Sequence, residues 1–133
     1  MGEVNNQFII PNGMFAYNKL TSLTLPTNIK AIGNQAFIGN DITDINIPAS
    51  VEVIYNEAFL RSYKNFNSNS TATLNFADNS KLRKIGYAAF NGACIGGSLS
   101  FPSTVDFIGA YSFGYNKICL LYTSPSPRDR QKS

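Results

Sequence analysis

The 133-residue sequence contains no histidine and no tryptophan. Without histidine it lacks the usual general base near neutral pH and the commonest metal ligand. A serine, threonine or cysteine nucleophile would need a lysine or carboxylate beside it, and no motif places one there. Gly96-Gly97 is not followed by the Lys-Ser/Thr of a phosphate loop. Asp41, Asp44 and Glu57 do not form the dense run of oxygen ligands that calcium requires. No catalytic residue, cofactor or metal site is therefore expected. Charged residues make up only 14%, too few for a coiled coil, while 44% are hydrophobic, too many for a disordered chain. No apolar run approaches the ~20 residues that cross a bilayer, so no membrane insertion is expected. The opening Met1-Gly2-Glu3-Val4-Asn5-Asn6 lacks the basic and apolar regions of a signal peptide. A formal charge of +3 is too small to argue for a nucleic-acid partner.

What is present is a repeat. The dipeptide Ala36-Phe37 returns as Ala58-Phe59, Ala89-Phe90 and Ser112-Phe113, with phenylalanine spacings of 22, 31 and 23 residues. Ahead of each stands an isoleucine pair: Ile32-Gly33, Ile54-Tyr55, Ile85-Gly86 and Ile108-Gly109. Three residues before those isoleucines come Ile29, Val51, Leu82 and Val105. Earlier still is an alternating pair, Leu23-x-Leu25-Pro26, Ile45-x-Ile47-Pro48 and Leu99-x-Phe101-Pro102; the third copy, Leu74-x-Phe76, lacks the proline. A half copy from Phe15 to Leu20 precedes these, and Asn18, Asn40 and Asn116 recur three residues after a phenylalanine.

This spacing predicts a repeat solenoid, mostly β and coil. Leu23 and Leu25 alternate with Ser22 and Thr24 as in a half-buried strand. Proline ends that strand because it cannot donate to a ladder. Ile29 and Ile32 point inward from a shorter extended segment, and Gly33 permits a sharp bend. Ala36-Phe37 forms a short helical or 3₁₀ turn whose ring fills the core. The asparagine amides are expected to bond neighbouring coils. No coil has an interior of its own, so each buries its apolar side on the next.

The motif resembles the BspA-type leucine-rich repeat over about Phe15 to Ile118. The resemblance implies a solenoid with a parallel sheet on one face, in surface or secreted proteins used in adhesion. Localisation is accordingly expected to be extracellular or at the cell surface. Departures are Tyr55 in place of glycine, which argues against a required positive φ there, an insert at Tyr63 to Ser70, and two extra residues before Leu82. The expected organisation is residues 1–14 as an N-terminal segment or degenerate repeat, 15–118 as a solenoid of about four repeats, and 119–133 as a non-native tail.

The tail is assigned from its text. Cys119-Leu120-Leu121-Tyr122-Thr123-Ser124-Pro125-Ser126-Pro127-Arg128-Asp129 breaks the repeat and resembles a translated transposase sequencing-library adaptor. Residues 1–118 alone hold eight basic and seven acidic residues, so most of the net charge belongs to the tail. That leaves Cys94 as one thiol with no native disulfide expected, read as a small buried apolar residue. The tail is expected to be disordered beyond Tyr122, with Leu120 to Tyr122 able to mimic a strand.

The candidate binding surface is the outward row of the alternating strands: Ser22, Thr24, Asp44, Asn46, Thr73, Asn75, Ser98 and Ser100. Tyr63 and Phe66 in the insert join it, because loops carry recognition disproportionately. The other tyrosines beside the Ala-Phe turns are expected to cover the solenoid flank. Lys81, Arg83 and Lys84 form a short basic cluster at a solvated edge. These residues favour a cell-surface or secreted binding module for a protein or glycan ligand. A structural spacer presenting another domain is the alternative, and an ice- or crystal-binding face a minor one, since Asp44 and Asn46 interrupt the threonine row. Open apolar ends are expected to promote self-association. Genomic DNA of the source should encode a further repeat after Ile118; a genomic clone encoding Cys119 to Pro127 would overturn the tail assignment.

Overall fold

A computed structural model describes residues 8–62 and 71–123, apart from the side chains of 118–123. The chain winds into stacked coils. Five two-residue strands form one continuous parallel sheet: β1 (Ile9–Ile10), β2 (Ala31–Ile32), β4 (Val53–Ile54), β6 (Lys84–Ile85) and β8 (Phe107–Ile108). Between them run β3 (Asp44–Ile47), β5 (Thr73–Phe76), β7 (Gly96–Phe101) and β9 (Lys117–Thr123). These pair as two separate parallel ribbons on a second face, β3 with β5 and β7 with β9. The shorter extended segments thus make the unbroken sheet, and the sheet includes residues that precede Phe15.

Short strands suffice because each coil hands its hydrogen bonds to the next. Ile32 and Ile54 sit opposite each other in register, and both are fully buried. Leu25, Ile29, Ile45, Ile47, Val51, Leu82 and Leu99 fill the space between the two faces. Leu23 and Leu25 alternate in burial as expected, but residues 21–26 form no ladder with β3. Thr21 C=O accepts from the Thr43 N–H at 3.2 Å, and beyond it the segments part. This is the first front segment of the array, and no described residue holds it from the outer side.

The Ala-Phe corner is built differently from a helix. Ala36 N–H bonds Gly33 C=O at 3.2 Å and Ile38 N–H bonds Gln35 C=O at 3.3 Å, which are 3₁₀-type turn closures. Gln35 (φ 57°) and Gly39 (φ 72°) are left-handed, as are Glu57 and Arg61 around Phe59. With left-handed residues two before and two after the phenylalanine, every second N–H of the corner points along the solenoid axis. Thus Phe37 N–H reaches Ala58 C=O at 2.8 Å, Phe59 reaches Ala89 at 2.7 Å, and Phe90 reaches Ser112 at 2.8 Å. The rings follow: Phe15, Phe37, Phe59, Phe90 and Phe113 stack with centroids 5.0–5.3 Å apart and planes within 12°.

A turn does start at Gly33, but neither Gly33 nor Gly86 has a positive φ, and both have a further task. A Cβ on Gly33 would lie 2.6 Å from Ile10 C=O, and one on Gly86 would lie 2.8 Å from Asn56 N. Both glycines are needed for close approach to the preceding coil. Gly39 combines both constraints, because its Cβ would fall 2.3 Å from the Tyr17 ring.

Asparagines tie the coils together in two rows. Buried Asn40 accepts from the N–H of Asn18 (3.1 Å) and Leu20 (2.9 Å) and donates to the C=O of Phe15 (2.8 Å) and Phe37 (3.0 Å). Asn116 repeats the arrangement with Ile95 N–H and Phe90 C=O. The second row lies outside: Asn12, Asn34 and Asn56 each accept the N–H of the residue one coil on, at 2.7–3.0 Å.

β9 contains Cys119 to Thr123, the start of the segment assigned to the tail, and Leu120 to Thr123 pair with Ser98 to Phe101. Thr123 is thus in a strand, one residue past the expected onset of disorder; residues 124–133 lie outside the described part.

Asn40→Ala should cost about 3 kcal/mol, because it strands several polar groups in the interior. Urea unfolding against the wild type measures this. A loss below about 1 kcal/mol would show that the amide row does not hold the coils together.

Candidate binding face

The second face is assembled from the alternation of β3 and β5. Ile45, Ile47 and Leu74 point inward, which leaves Asp44, Asn46, Thr73 and Asn75 exposed. Parallel register sets Asp44 opposite Thr73 and Asn46 opposite Asn75. These four side chains form one hydrogen-bonded chain. Thr73 Oγ1 donates to Asp44 Oδ1 at 2.5 Å, Asn46 Nδ2 donates to Asp44 Oδ2 at 3.0 Å, and Asn75 Nδ2 donates to Asn46 Oδ1 at 3.3 Å. Cross-strand pairs of this kind orient the face before any ligand arrives.

The remaining expected residues fall around this ribbon. Ser22 and Thr24 are exposed on the unpaired segment 21–26. Between that segment and β3 lies a shallow, mainly apolar hollow of about 300 Å³ containing Leu23, Leu25 and Ile47. Ser98 is exposed and Ser100 half-buried on β7. Tyr63 and Phe66 lie outside the described residues.

β5 and β7 do not form a sheet. The residues just before them, Ala72 and Ile95, form one parallel bridge, and no ladder follows it. The sequence explains the separation. From the bridge to the inward leucine, β5 has only Thr73 before Leu74, whereas its neighbour has Gly96, Gly97 and Ser98 before Leu99. Gly97 takes up part of the excess at φ 77°. The imbalance reverses further on, since residues 77–81 separate Phe76 from Leu82 but only residues 102–104 separate Phe101 from Val105. Thr104 Oγ1 then closes the far end on Leu82 C=O at 2.5 Å. The strands are therefore joined at both ends and bowed apart between them. The result is a cleft of about 700 Å³ bordered by Asn75, Asp78, Asn79, Ser98, Ser100 and Thr104.

Asp78, Asn79 and Thr104 were not among the residues expected from the alternating rows. The signal for Asp78 and Asn79 was the two extra residues before Leu82. Asp78 is the one charged residue lining the cleft among the described residues.

Other candidates disperse. Arg83 lies 3.9 Å from Glu52, which also faces Lys30 at 3.9 Å, while Lys84 sits 5.5 Å over the Phe107 ring. The basic cluster is thus split between an ion-pair row and an aromatic contact. Glu57 accepts from Gln35, and Asp44 is engaged on the front face. Among the described residues no three His, Cys, Asp or Glu side chains gather as a metal site. Cys94 is fully buried, and burial pushes its thiol above the ordinary range against the opposing charge of Lys117. Tyr87 and Tyr111 meet edge to face at 5.9 Å on the flank, and Tyr17 lies over Gly39.

No curated protein matches the chain in sequence. In solved structures, the fold is similar to the crystal structure of the pneumococcal vaccine antigen PcpA, with a TM-score of 0.76 at 23% identity. That similarity covers 88% of this chain and 28% of the antigen's, so this chain spans little more than a quarter of its length. Residues 4–65 match the family described as BspA type leucine rich repeat region (6 copies). The same corner and stacked phenylalanine continue through Phe113, beyond the matched residues. The chain is a leucine-rich-repeat-like solenoid, similar over residues 4–65 to the BspA-type repeat region.

Proposed function

We propose that the chain is a binding module of a cell-surface or secreted protein, adhesin-like, that engages a protein or glycan through its second face. The observation that carries this reading is the pre-oriented polar row of Asp44, Asn46, Thr73 and Asn75 beside the cleft. The row is held on stacked coils, so a ligand meets groups already in place and little ordering entropy is lost on binding. Solenoids characteristically use extended faces of this kind. The similar structure is that of a vaccine antigen from pneumococcus, which supports placement at a surface. Ser22, Thr24, Ser98 and Ser100 extend the row, and Tyr63 and Phe66 in the insert are proposed to join it.

The spacer reading draws support from the stacked core alone and predicts no ligand at the face. An ice- or crystal-binding face would need a flat, regular ladder, whereas β5 and β7 bow apart and residues 21–26 leave the sheet. A secondary expectation is self-association at the end of the continuous sheet, where Phe107 and Ile108 on β8 are 52% and 44% exposed.

The test uses immobilised glycoproteins and extracellular-matrix proteins as probes. The pair Asn46→Lys and Asn75→Lys should weaken capture at least about tenfold, ~1.4 kcal/mol, without shifting the unfolding midpoint. Capture unchanged by the pair, or capture of none of the probes by the wild type, would favour the spacer and overturn the reading.

A further inference from the structure

We propose that the cleft between β5 and β7 is a subsite for a neutral sugar residue of a glycan, an assignment that rests on the reading of this face as a binding surface. The argument begins with the main chain. In a parallel ladder, a residue directs its N–H and C=O to the same neighbour, and successive residues alternate sides. Ala72 bonds across to Cys94 C=O and Gly96 N–H, whereas Thr73 bonds back to Thr43, just before β3, and Ala77 to Ile47 of β3. Leu74 and Phe76 therefore direct their N–H and C=O groups toward β7. No ladder joins either residue to β7. Two donor–acceptor pairs, one strand period apart, thus face the cleft outside any ladder.

A ligand that satisfies them must offer donors and acceptors on neighbouring atoms. Hydroxyl groups do so, since each carries one donor and two acceptor lone pairs. The side chains around these groups are suited to the same chemistry: the amides of Asn75 and Asn79 and the hydroxyls of Ser98 and Ser100. Charge narrows the class. No lysine or arginine lines the cleft among the described residues and Asp78 contributes a carboxylate, so phosphate, sulfate and carboxylate groups are disfavoured.

Shape narrows it further. An intercalated peptide strand would need about 4.8 Å on each side, hence nearly twice that between β5 and β7. The Ala72–Ile95 bridge and Thr104 close the ends, and the Phe76 and Phe101 rings lie 5.9 Å apart beneath. A compact ring fits such a lens where an extended chain does not. The half-buried Phe76 side chain supplies apolar surface for the C–H face of a sugar. The volume, about 700 Å³, lies within the range of small-ligand pockets.

The experiment is an amide NMR titration of the whole chain with neutral chito-, manno- and galacto-oligosaccharides, a heparin oligosaccharide and a polar peptide, each added separately. A neutral oligosaccharide should shift the Leu74, Phe76 and Ser98 amides saturably. Ser98→Trp, which fills the cleft, should weaken that affinity at least tenfold, while Tyr115→Trp on the exposed flank should leave it unchanged. Shifts in the unaltered chain decide the matter should Ser98→Trp fail to fold. Saturable shifts with heparin or the peptide alone, or shifts that avoid these amides, would overturn the assignment. If no sugar binds while Asn46- and Asn75-dependent capture persists, the sugar subsite fails and the binding face stands; if capture is absent too, both fail.

Discussion

The structure depends on stacking one coil against the next. No coil encloses an interior, so its apolar side chains are buried only by their counterparts one turn away. The phenylalanine column shows this most directly, with five rings at 5.0–5.3 Å. Offset stacking of such rings contributes about 0.5–1.5 kcal/mol per pair beyond the area buried. Three linked features keep the column in register. Left-handed residues on both sides of each ring aim alternate N–H groups along the axis, glycine lets coils approach closely, and asparagine amides bridge coils where the main chain turns. Lengthening a coil is tolerated only if its corner and its short strand return to the same column.

That condition explains where the second face is irregular. The column and the five-stranded sheet fix two edges of every coil, so length differences are absorbed on the third. β7 has two residues more than β5 before the inward leucine, and the loop after β5 has two more than the loop after β7. The differences cancel across the segment, which allows the core to stay closed while the outer strands part. The cleft follows from repeats of unequal length on a fixed frame.

Much of this was legible in sequence. The Ile-Gly-x-x-Ala-Phe spacing marked the column, and the alternation at Ile45, Ile47, Leu74 and Leu99 marked which side chains face inward. The exposure of Asp44, Asn46, Thr73 and Asn75 followed from that alternation. Three features did not follow. The task of Gly33 and Gly86 depends on how near the preceding coil passes, which spacing along one chain does not encode. The outer Asn12, Asn34 and Asn56 row was visible as Ile-x-Asn three residues before each of the first three phenylalanines, but Tyr87 and Ala110 replace it in the later copies, so the consensus left that position open. The cleft required counting residues in two neighbouring coils between the same structural landmarks, and the bridge between Ala72 and Ile95 is a property of the fold.

Native-state hydrogen exchange tests the central claim most directly. A fixed column and sheet with strands bowed apart on the second face predicts slow exchange at Phe37, Phe59 and Phe90, whose N–H groups bond the next coil, and at Thr73 and Ala77, which bond Thr43 and Ile47 of the preceding coil. Leu74 and Phe76, adjacent in the same strand but facing the cleft, should exchange orders of magnitude faster. Equal protection of Leu74 and Thr73 would mean that β5 and β7 are paired after all, and would contradict the account.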